Sequence, residues 1–308
     1  MKKNRLNYFE KGIKNPKNAW YVVRTNLDIM ASRLIFKNTA GFKNNLEGKN
    51  IEKQLKKLQE NSSAMSHPSA EQLKEKGYAN LQYPFEKDLL SQIVNKYSKI
   101  IDDERFSFVR SKTKNGLVTS RMINRAFMIF PEVKGLITED IMRLIENYYQ
   151  SHFQIIHVMM WRIYHVPQKE NLEKEQYGSY WHCDGANTTI TTMFTNISEV
   201  TEDDGPLHFQ SVQRTQELIK KGYKTRHDYN LPIEIIEDPK HVLKHVGSIG
   251  STVWVNTQYC LHRAGIPKPN HARDMLQLRI IPSREPLYED WLDRCEDSND
   301  EIRFNSQK

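Results

Sequence analysis

His182 and Asp184, two positions apart in Trp181-His182-Cys183-Asp184-Gly185, are the residues of this chain best placed to do chemistry. The run that follows, Asn187 to Thr195, is rich in β-branched residues and predicts a strand. Alternate residues of extended backbone share a face, so the imidazole and the carboxylate point one way and Cys183 the other. One imidazole and one carboxylate are two-thirds of a 2-His-1-carboxylate facial triad. Such a triad holds non-haem Fe(II) and leaves the opposite side of the metal open. Taken alone, His-x-Asp is a weak signal and reads rather as a surface pair or a structural hydrogen bond.

Downstream residues complete the set. Ser251 to Val255 reads as a strand that leads through Asn256-Thr257-Gln258 to a second extended stretch ending at His262. Gly265 to Asn270 is turn-rich, and a further strand begins at Ala272-Arg273. A hairpin of this form in a jelly roll brings His262 and Arg273 into one barrel mouth. His262 is then the third metal ligand. Arg273 is a fixed fork for a carboxylate, which guanidinium binds in bidentate fashion better than an ammonium does.

The elements that must hold these residues divide into a helical first half and a strand-rich second half. Asn15-Pro16 opens a helix with Trp20, Val23, Leu27, Met30 and Leu34 on one face, and a second helix is expected from Asn50. Ser69 to Gln72 has a capping-box pattern, with Gly77 closing a short helix; Pro84 opens another. Phe106–Val109 and Met122–Phe130 are expected as strands, and Thr138 caps a helix carrying Ile141, Leu144, Ile145 and Tyr148. Strands are then expected over Ile155–Val166, Thr188–Phe194, Gly205–Phe209, Gly250–Val255, Tyr259–Ala264 and Met275–Pro282. Gln213 to Lys240 reads as irregular, with Leu231-Pro232 against regular structure, and as part of a lid. Many short strands preceded by helices predict a β-sandwich or jelly roll with helical flanks. The expected domains are an N-terminal helical extension over 1–66, the jelly-roll domain over 67–290 and a charged tail over 291–308.

Composition narrows the class. A chain of 308 residues can bury one large core. Three cysteines, Cys183, Cys260 and Cys295, give neither a disulfide framework nor a zinc spacing. No stretch has signal-peptide or membrane-span character, so a cytoplasmic location and no membrane partner are expected. The net charge of +7 is spread along the chain without a basic block, and no nucleic-acid partner is expected.

The ordered set His182-x-Asp184, Gly205-Pro206-Leu207, His262 and Arg273, the last eleven residues after His262, resembles the phytanoyl-CoA dioxygenase family. The resemblance runs from roughly Ser69 to Pro282 and is strongest from Tyr177 onward. It implies a mainly β fold with helical flanks, a double-stranded β-helix (jelly roll, cupin-like) core. It also implies a dioxygenase that uses Fe(II), 2-oxoglutarate and O2 and releases succinate and CO2. His182, Asp184 and His262 would bind the metal, and Arg273 would grip the distal carboxylate of 2-oxoglutarate. One position departs from the pattern. Many members carry a hydroxyl residue two places after the second histidine, where this chain has Ala264; a threonine of Thr189 to Thr195 is a candidate replacement.

Other residues carry competing readings. His208 either lines the cavity or is a hydrogen-bonded structural histidine. Arg279 shares strand parity with Arg273 and either holds substrate or is a salt-bridged barrel arginine. Cys260 reads as apolar filler. Tyr177, Tyr180 and Trp181 either shape the pocket or pack the core, and His152, His157 and His165 read as structural. Arg263, Lys268 and His271 around the connection after His262 suggest a small or medium anionic metabolite as substrate. Hydroxylation is the default outcome, with desaturation, ring formation and epimerisation open from the same hydrogen abstraction; oxygenation rather than chlorination is expected, because Asp184 fills the position that halogenating relatives leave to chloride. The rival classes are a cupin-type hydrolase or isomerase, which has no use for Arg273, and a jelly-roll binding module, which has no use for the full triad.

Overall fold

The structure is a computed structural model that describes residues 67–81, 84–184, 190–226 and 229–295. The helices expected at Asn15 and Asn50 lie outside the described residues. Helix α1 (Pro68–Lys76) starts not at the predicted capping box but two residues earlier. His67 is its N-cap, with Nδ1 accepting from Ser69 N at 3.2 Å, and Pro68 occupies the first turn. Gly77 closes it with φ 81, as expected.

Strand β1 (Tyr78–Leu81) leads to α2 (Lys87–Ile100), then to the hairpin β2 (Ser107–Lys112) and β3 (Val118–Ile123). The strand expected over Met122–Phe130 ends at Ile123. Arg125 turns the chain with φ 47 into the short helix α3 (Ala126–Ile129). A short apolar run fits a buried strand and a buried helical turn equally well, which is why the pattern misled. Helix α4 (Glu139–Tyr149) is capped by Thr138, whose hydroxyl accepts from Ile141 N. The long strand β4 (His152–Tyr164) is followed by α5 (Gln168–Glu173), then β5 (Thr191–Asn196) and β6 (Leu207–Phe209).

The segment expected to be irregular holds α6 (Val212–Lys221) and the single turn α7 (Ile233–Ile236). Ser211 caps α6 through Arg214 N, and Gly222, φ 117, ends it. Pro232 does not break a helix here; it begins α7. Strands β7 (Leu243–His245), β8 (Thr252–Val255), β9 (His262–Ala264) and β10 (Ala272–Ser283) complete the chain. Residues 256–261 form a turn where strand was expected, so β9 is only the end of the predicted Tyr259–Ala264 strand.

The strands form a seven-stranded sheet, order β1-β8-β5-β10-β4-β3-β2, and a three-stranded sheet, order β7-β6-β9. His182 bridges His262 and adds one more extended position to the edge of the smaller sheet. The two sheets face each other as the jelly roll expected, with helices on the outside of the larger one.

Strand β10 runs through the centre and is buried on both sides. Its Leu276, Leu278 and Ile280 face the helices and pack with Leu73, Ile93, Leu144, Ile145 and Trp254. Its Met275 faces inward and packs with Phe194, Val253 and Val255 of the large sheet and Leu207 and Phe209 of the small one. The period-2 alternation of β10 therefore sends Arg273, Met275, Gln277 and Arg279 into the space between the sheets. Trp291, Leu292 and Cys295 join the helix-side core beyond residue 290, where the domain is expected to end.

Candidate metal centre

Antiparallel pairing brings the first and last ligand candidates together. His182 N donates to His262 O at 3.0 Å and His262 N to His182 O at 2.9 Å. A reciprocal pair of this kind places the two side chains on one face, and the ring centroids lie 4.3 Å apart. Asp184 is fixed by its own N–H, which donates to Thr257 O at 2.9 Å in the turn before β9. Its Oδ1 lies 3.6 Å from His182 Nε2 and 3.7 Å from His262 Nε2. The ligand atoms of the three residues all lie within 4.8 Å of one another. Two atoms each about 2.1 Å from one ion are at most about 4.2 Å apart, so both histidine–carboxylate separations suit a shared metal.

The far side of each imidazole is tied down. His182 Nδ1 lies 2.7 Å from Tyr180 O, and His262 Nδ1 lies 3.0 Å from Cys260 O. A carbonyl only accepts, so both Nδ1 atoms carry a proton and both Nε2 atoms are turned toward Asp184. This is the tautomer that metal ligation requires. Burial, and then the neighbouring His262, pull His182 down to about 4, so it is neutral at pH 7. Burial alone would raise the Asp184 carboxyl, but His262, His182 and Arg279 hold it well below the usual range. Two imidazoles and one carboxylate are a suitable donor set for a divalent ion with imidazole and carboxylate preferences. Gly178 guards the approach. It sits at φ 79, and a Cβ there would come within 3.3 Å of His182 Cε1.

Arg273 opens β10 on the same interior face. Its side chain is 1 % exposed, and Nη1 is buried without a partner. Burial pulls the guanidinium down to about 10, which still leaves it charged at pH 7. A buried charge with an unmatched donor is costly and calls for an anion. The residues thus fit both groups that the motif implies, a metal at the triad and a carboxylate at Arg273.

Other candidates separate. Arg279 Nη2 lies 3.7 Å from Asp184 Oδ2, so the two carboxylate oxygens are divided between the histidines and this arginine. His208 alternates with the inward Leu207 and Phe209 and lies across from Arg263. Its Nδ1 has no partner, and burial, reinforced by Arg263, pulls it down to about 2. Cys260 is packed in the core, with Sγ 3.3 Å from Gly77 O. Tyr180 acts through its carbonyl on His182.

The cations expected at the mouth do not supply free charge. Arg263 pairs with Glu237 at 3.0 Å and covers the Trp181 ring, Lys268 pairs with Asp203, and His271 pairs with Asp204. Strand parity puts Arg263 opposite His262, on the outer face, and the two loop residues face the acidic turn 201–204.

The 212–240 segment has a role the sequence did not reveal. Trp181, Leu218, Tyr223, Ile236 and Leu261 form a cluster on the outer face of the small sheet. Tyr223 donates to Trp181 O at 2.7 Å, Trp181 N donates to the Tyr229 hydroxyl at 3.0 Å, and Leu261 N donates to Thr215 Oγ1 at 2.9 Å. Trp181 and Leu261 are the residues immediately before the two histidines. The segment thus backs the strands that carry the candidate ligands. No spacing rule signals this, because the bonds join a side chain to a distant backbone.

No family model matches the chain, and no curated protein matches it. Solved structures do share its fold. The epimerase SnoN, in complex with Fe3+, alpha ketoglutarate and nogalamycin RO, superposes with a TM-score of 0.50 at 13% identity, covering 75% of this chain and 84% of its own. HygX from Streptomyces hygroscopicus, with nickel, 2-oxoglutarate and hygromycin B bound, gives a TM-score of 0.50 at 9% identity, covering 72% of this chain and 89% of its own. At these identities the likeness is one of fold: the chain has the jelly-roll core found in those metal- and 2-oxoglutarate-bound proteins.

Proposed function

We propose that the chain is an Fe(II)- and 2-oxoglutarate-dependent oxygenase of the phytanoyl-CoA dioxygenase type. On this reading it hydroxylates a small or medium metabolite. The observation that carries it is the pairing, inside one barrel, of a tautomer-fixed His182–Asp184–His262 cluster with the buried, unmatched guanidinium of Arg273. A cupin-type hydrolase or a binding module would gain nothing from Arg273 and would bear its burial cost.

Iron, 2-oxoglutarate and O2 would supply oxidative decarboxylation to succinate and CO2 coupled to substrate oxidation. The chain supplies placement. His182 and His262 offer their Nε2 atoms, His182 without a proton to lose at pH 7, and Asp184 adds one negative charge through Oδ1. Arg279 holds Oδ2 and favours the ionised carboxylate. Arg273 fixes the far carboxylate of the cosubstrate. Asp184 also occupies the position through which a chloride would have to enter, which favours oxygenation over chlorination.

The test is succinate release with Fe(II), 2-oxoglutarate and ascorbate, where slow turnover is expected even without the true substrate. His182→Ala, Asp184→Ala and His262→Ala should each abolish metal binding and succinate formation. Arg273→Ala should bind metal but lose about 2–5 kcal/mol of cosubstrate affinity. Full activity in the triad variants would place the site elsewhere. Wild-type protein that binds metal but neither binds nor turns over 2-oxoglutarate would favour the hydrolase class.

A further inference from the structure

A carboxylate gripped by Arg273 alone is incompletely satisfied. Its two oxygens accept about four hydrogen bonds, and a guanidinium fork supplies two. In a site where Arg273 is 1 % exposed, little water reaches the remainder, so a second protein donor is needed. Ala264, two residues after His262 and on its face of β9, offers only a methyl group.

The threonines of β5 do not reach. Thr191 is bonded to Tyr149 and Trp254 on the helix side, and Thr195 to Thr252. Thr192 faces inward, but its register partner on β10 is Arg279. That position is six residues from Arg273, roughly 20 Å along an extended strand. Thr189 lies outside the described residues. His245 has its Nε2 at Ser251 O, 3.2 Å away. Burial pulls it down to about 4, so at pH 7 the ring is neutral and has no second N–H to give.

Tyr177 is in the right place. It packs in one cluster with Ala264 and Ile163, and Ile163 is the direct cross-strand partner of Arg273. The adjoining backbone is tied to the same point, because Ala264 N donates to Gly178 O at 2.9 Å. Tyr177 is held at φ 37, a left-handed conformation that a bulky residue adopts only under constraint. The turn formed with Gly178 directs the ring inward, where it is 7 % exposed. The phenol donates to Tyr164 O at 3.1 Å, beside the start of β10. That is long for an O–H···O bond, whose usual length is about 2.7–2.8 Å, so a stronger acceptor can take over the hydrogen bond. Burial raises the phenol and the Arg273 charge partly offsets it, so the hydroxyl stays protonated and lies within the field of that guanidinium.

We propose that the Tyr177 hydroxyl is the second anchor of the 2-oxoglutarate distal carboxylate, donating to it beside Arg273. The proposal rests on the oxygenase reading, and the experiment separates the two. Mn(II)-loaded protein is titrated with 2-oxoglutarate by calorimetry, with no turnover required. Tyr177→Phe removes one oxygen and should weaken 2-oxoglutarate binding about 10-fold or more, as expected for a lost hydrogen bond to a charged group, with Mn(II) affinity unchanged. Adding Ala264→Ser to Tyr177→Phe should recover part of the loss, because the new hydroxyl sits against the vacated position. Ala264→Ser alone should change affinity by less than about threefold, since the carboxylate is already satisfied. Tyr177→Phe binding like wild type would overturn the assignment. So would Ala264→Ser alone binding about tenfold tighter, and this second arm stands even if Tyr177→Phe fails to fold. Arg273→Ala reads the parent hypothesis. If it binds 2-oxoglutarate as well as wild type, the cosubstrate reading fails; if it loses binding while Tyr177→Phe does not, only the tyrosine assignment fails.

Discussion

At the scale of single residues, the site depends on groups that never touch a ligand. Tyr180 and Cys260 offer carbonyls that set the histidine tautomers, and Thr257 offers one that fixes Asp184. Gly178 leaves room for His182. Gly178→Ala tests this arrangement. A side chain at φ 79 costs about 1–2 kcal/mol in backbone strain, and the added Cβ would press on the imidazole at 3.3 Å. Lower thermal stability and weaker metal affinity are expected together. A variant that melts earlier but binds Mn(II) as tightly as wild type would mean that the imidazole is not held by this contact.

At the scale of elements, the ligand histidines lie on very short extended segments, one bridge position for His182 and the three-residue β9. Segments so short have little pairing of their own, and α6 with the chain after it provides the support from outside. The Leu261 N–H is buried and has Thr215 Oγ1 as its acceptor. Thr215→Val keeps the shape and removes that acceptor, which should cost about 1–3 kcal/mol. Thr215→Ser should restore most of it. Melting curves of the two variants check this, and equal stability of valine and serine forms would show that the bond contributes nothing. Lower Mn(II) affinity in the valine form is also expected, since Leu261 leads directly into His262.

For the molecule as a whole, several histidines are buried in the neutral form. His182 and His245 are each pulled down to about 4, mainly by burial, and His208 to about 2. In the unfolded chain each would titrate near 6.5. Between these values the unfolded state takes up protons that the folded state refuses. Their contribution to stability is therefore complete above about pH 6.5 and is lost progressively as pH falls toward 4. Each unit of depression corresponds to about 1.4 kcal/mol. Thermal melts of the metal-free protein should drop between pH 7 and pH 5, and bound Mn(II) should raise the pH 7 melt by mass action. A melting temperature that is flat over that interval would contradict the buried-neutral assignment. Among the described residues no helix is long and apolar enough to cross a membrane.

The candidate set His182-x-Asp184, His262 and Arg273 was legible as an ordered motif: extended spacing puts the first two on one face, and the family resemblance supplied the other two, which the fold brings into one interior. The jelly roll was legible too, from the many short strands that follow a helical first half and from the family resemblance. The caps at Gly77 and Thr138 are local signals and held. Local signals failed where the chain is decided by distant neighbours. Phe127 to Phe130 is apolar enough for either a strand or a turn of helix, and α6 forms in a polar stretch because one side of it covers Trp181 and Leu261. Charge pairing is likewise set by distant neighbours. Arg263, Lys268 and His271 count as cations in the sequence, yet each faces a carboxylate that folding brings from elsewhere, Glu237, Asp203 or Asp204. What the sequence by itself determined was the set of candidate ligand and anion-binding groups and the alternation of β10 that points Arg273 inward. What only the tertiary structure decided was which of them remain unmatched, because hydrogen-bond satisfaction in a buried site depends on partners tens of residues away. That accounting singles out Arg273 as a charge awaiting an anion and brings Tyr177 to its side.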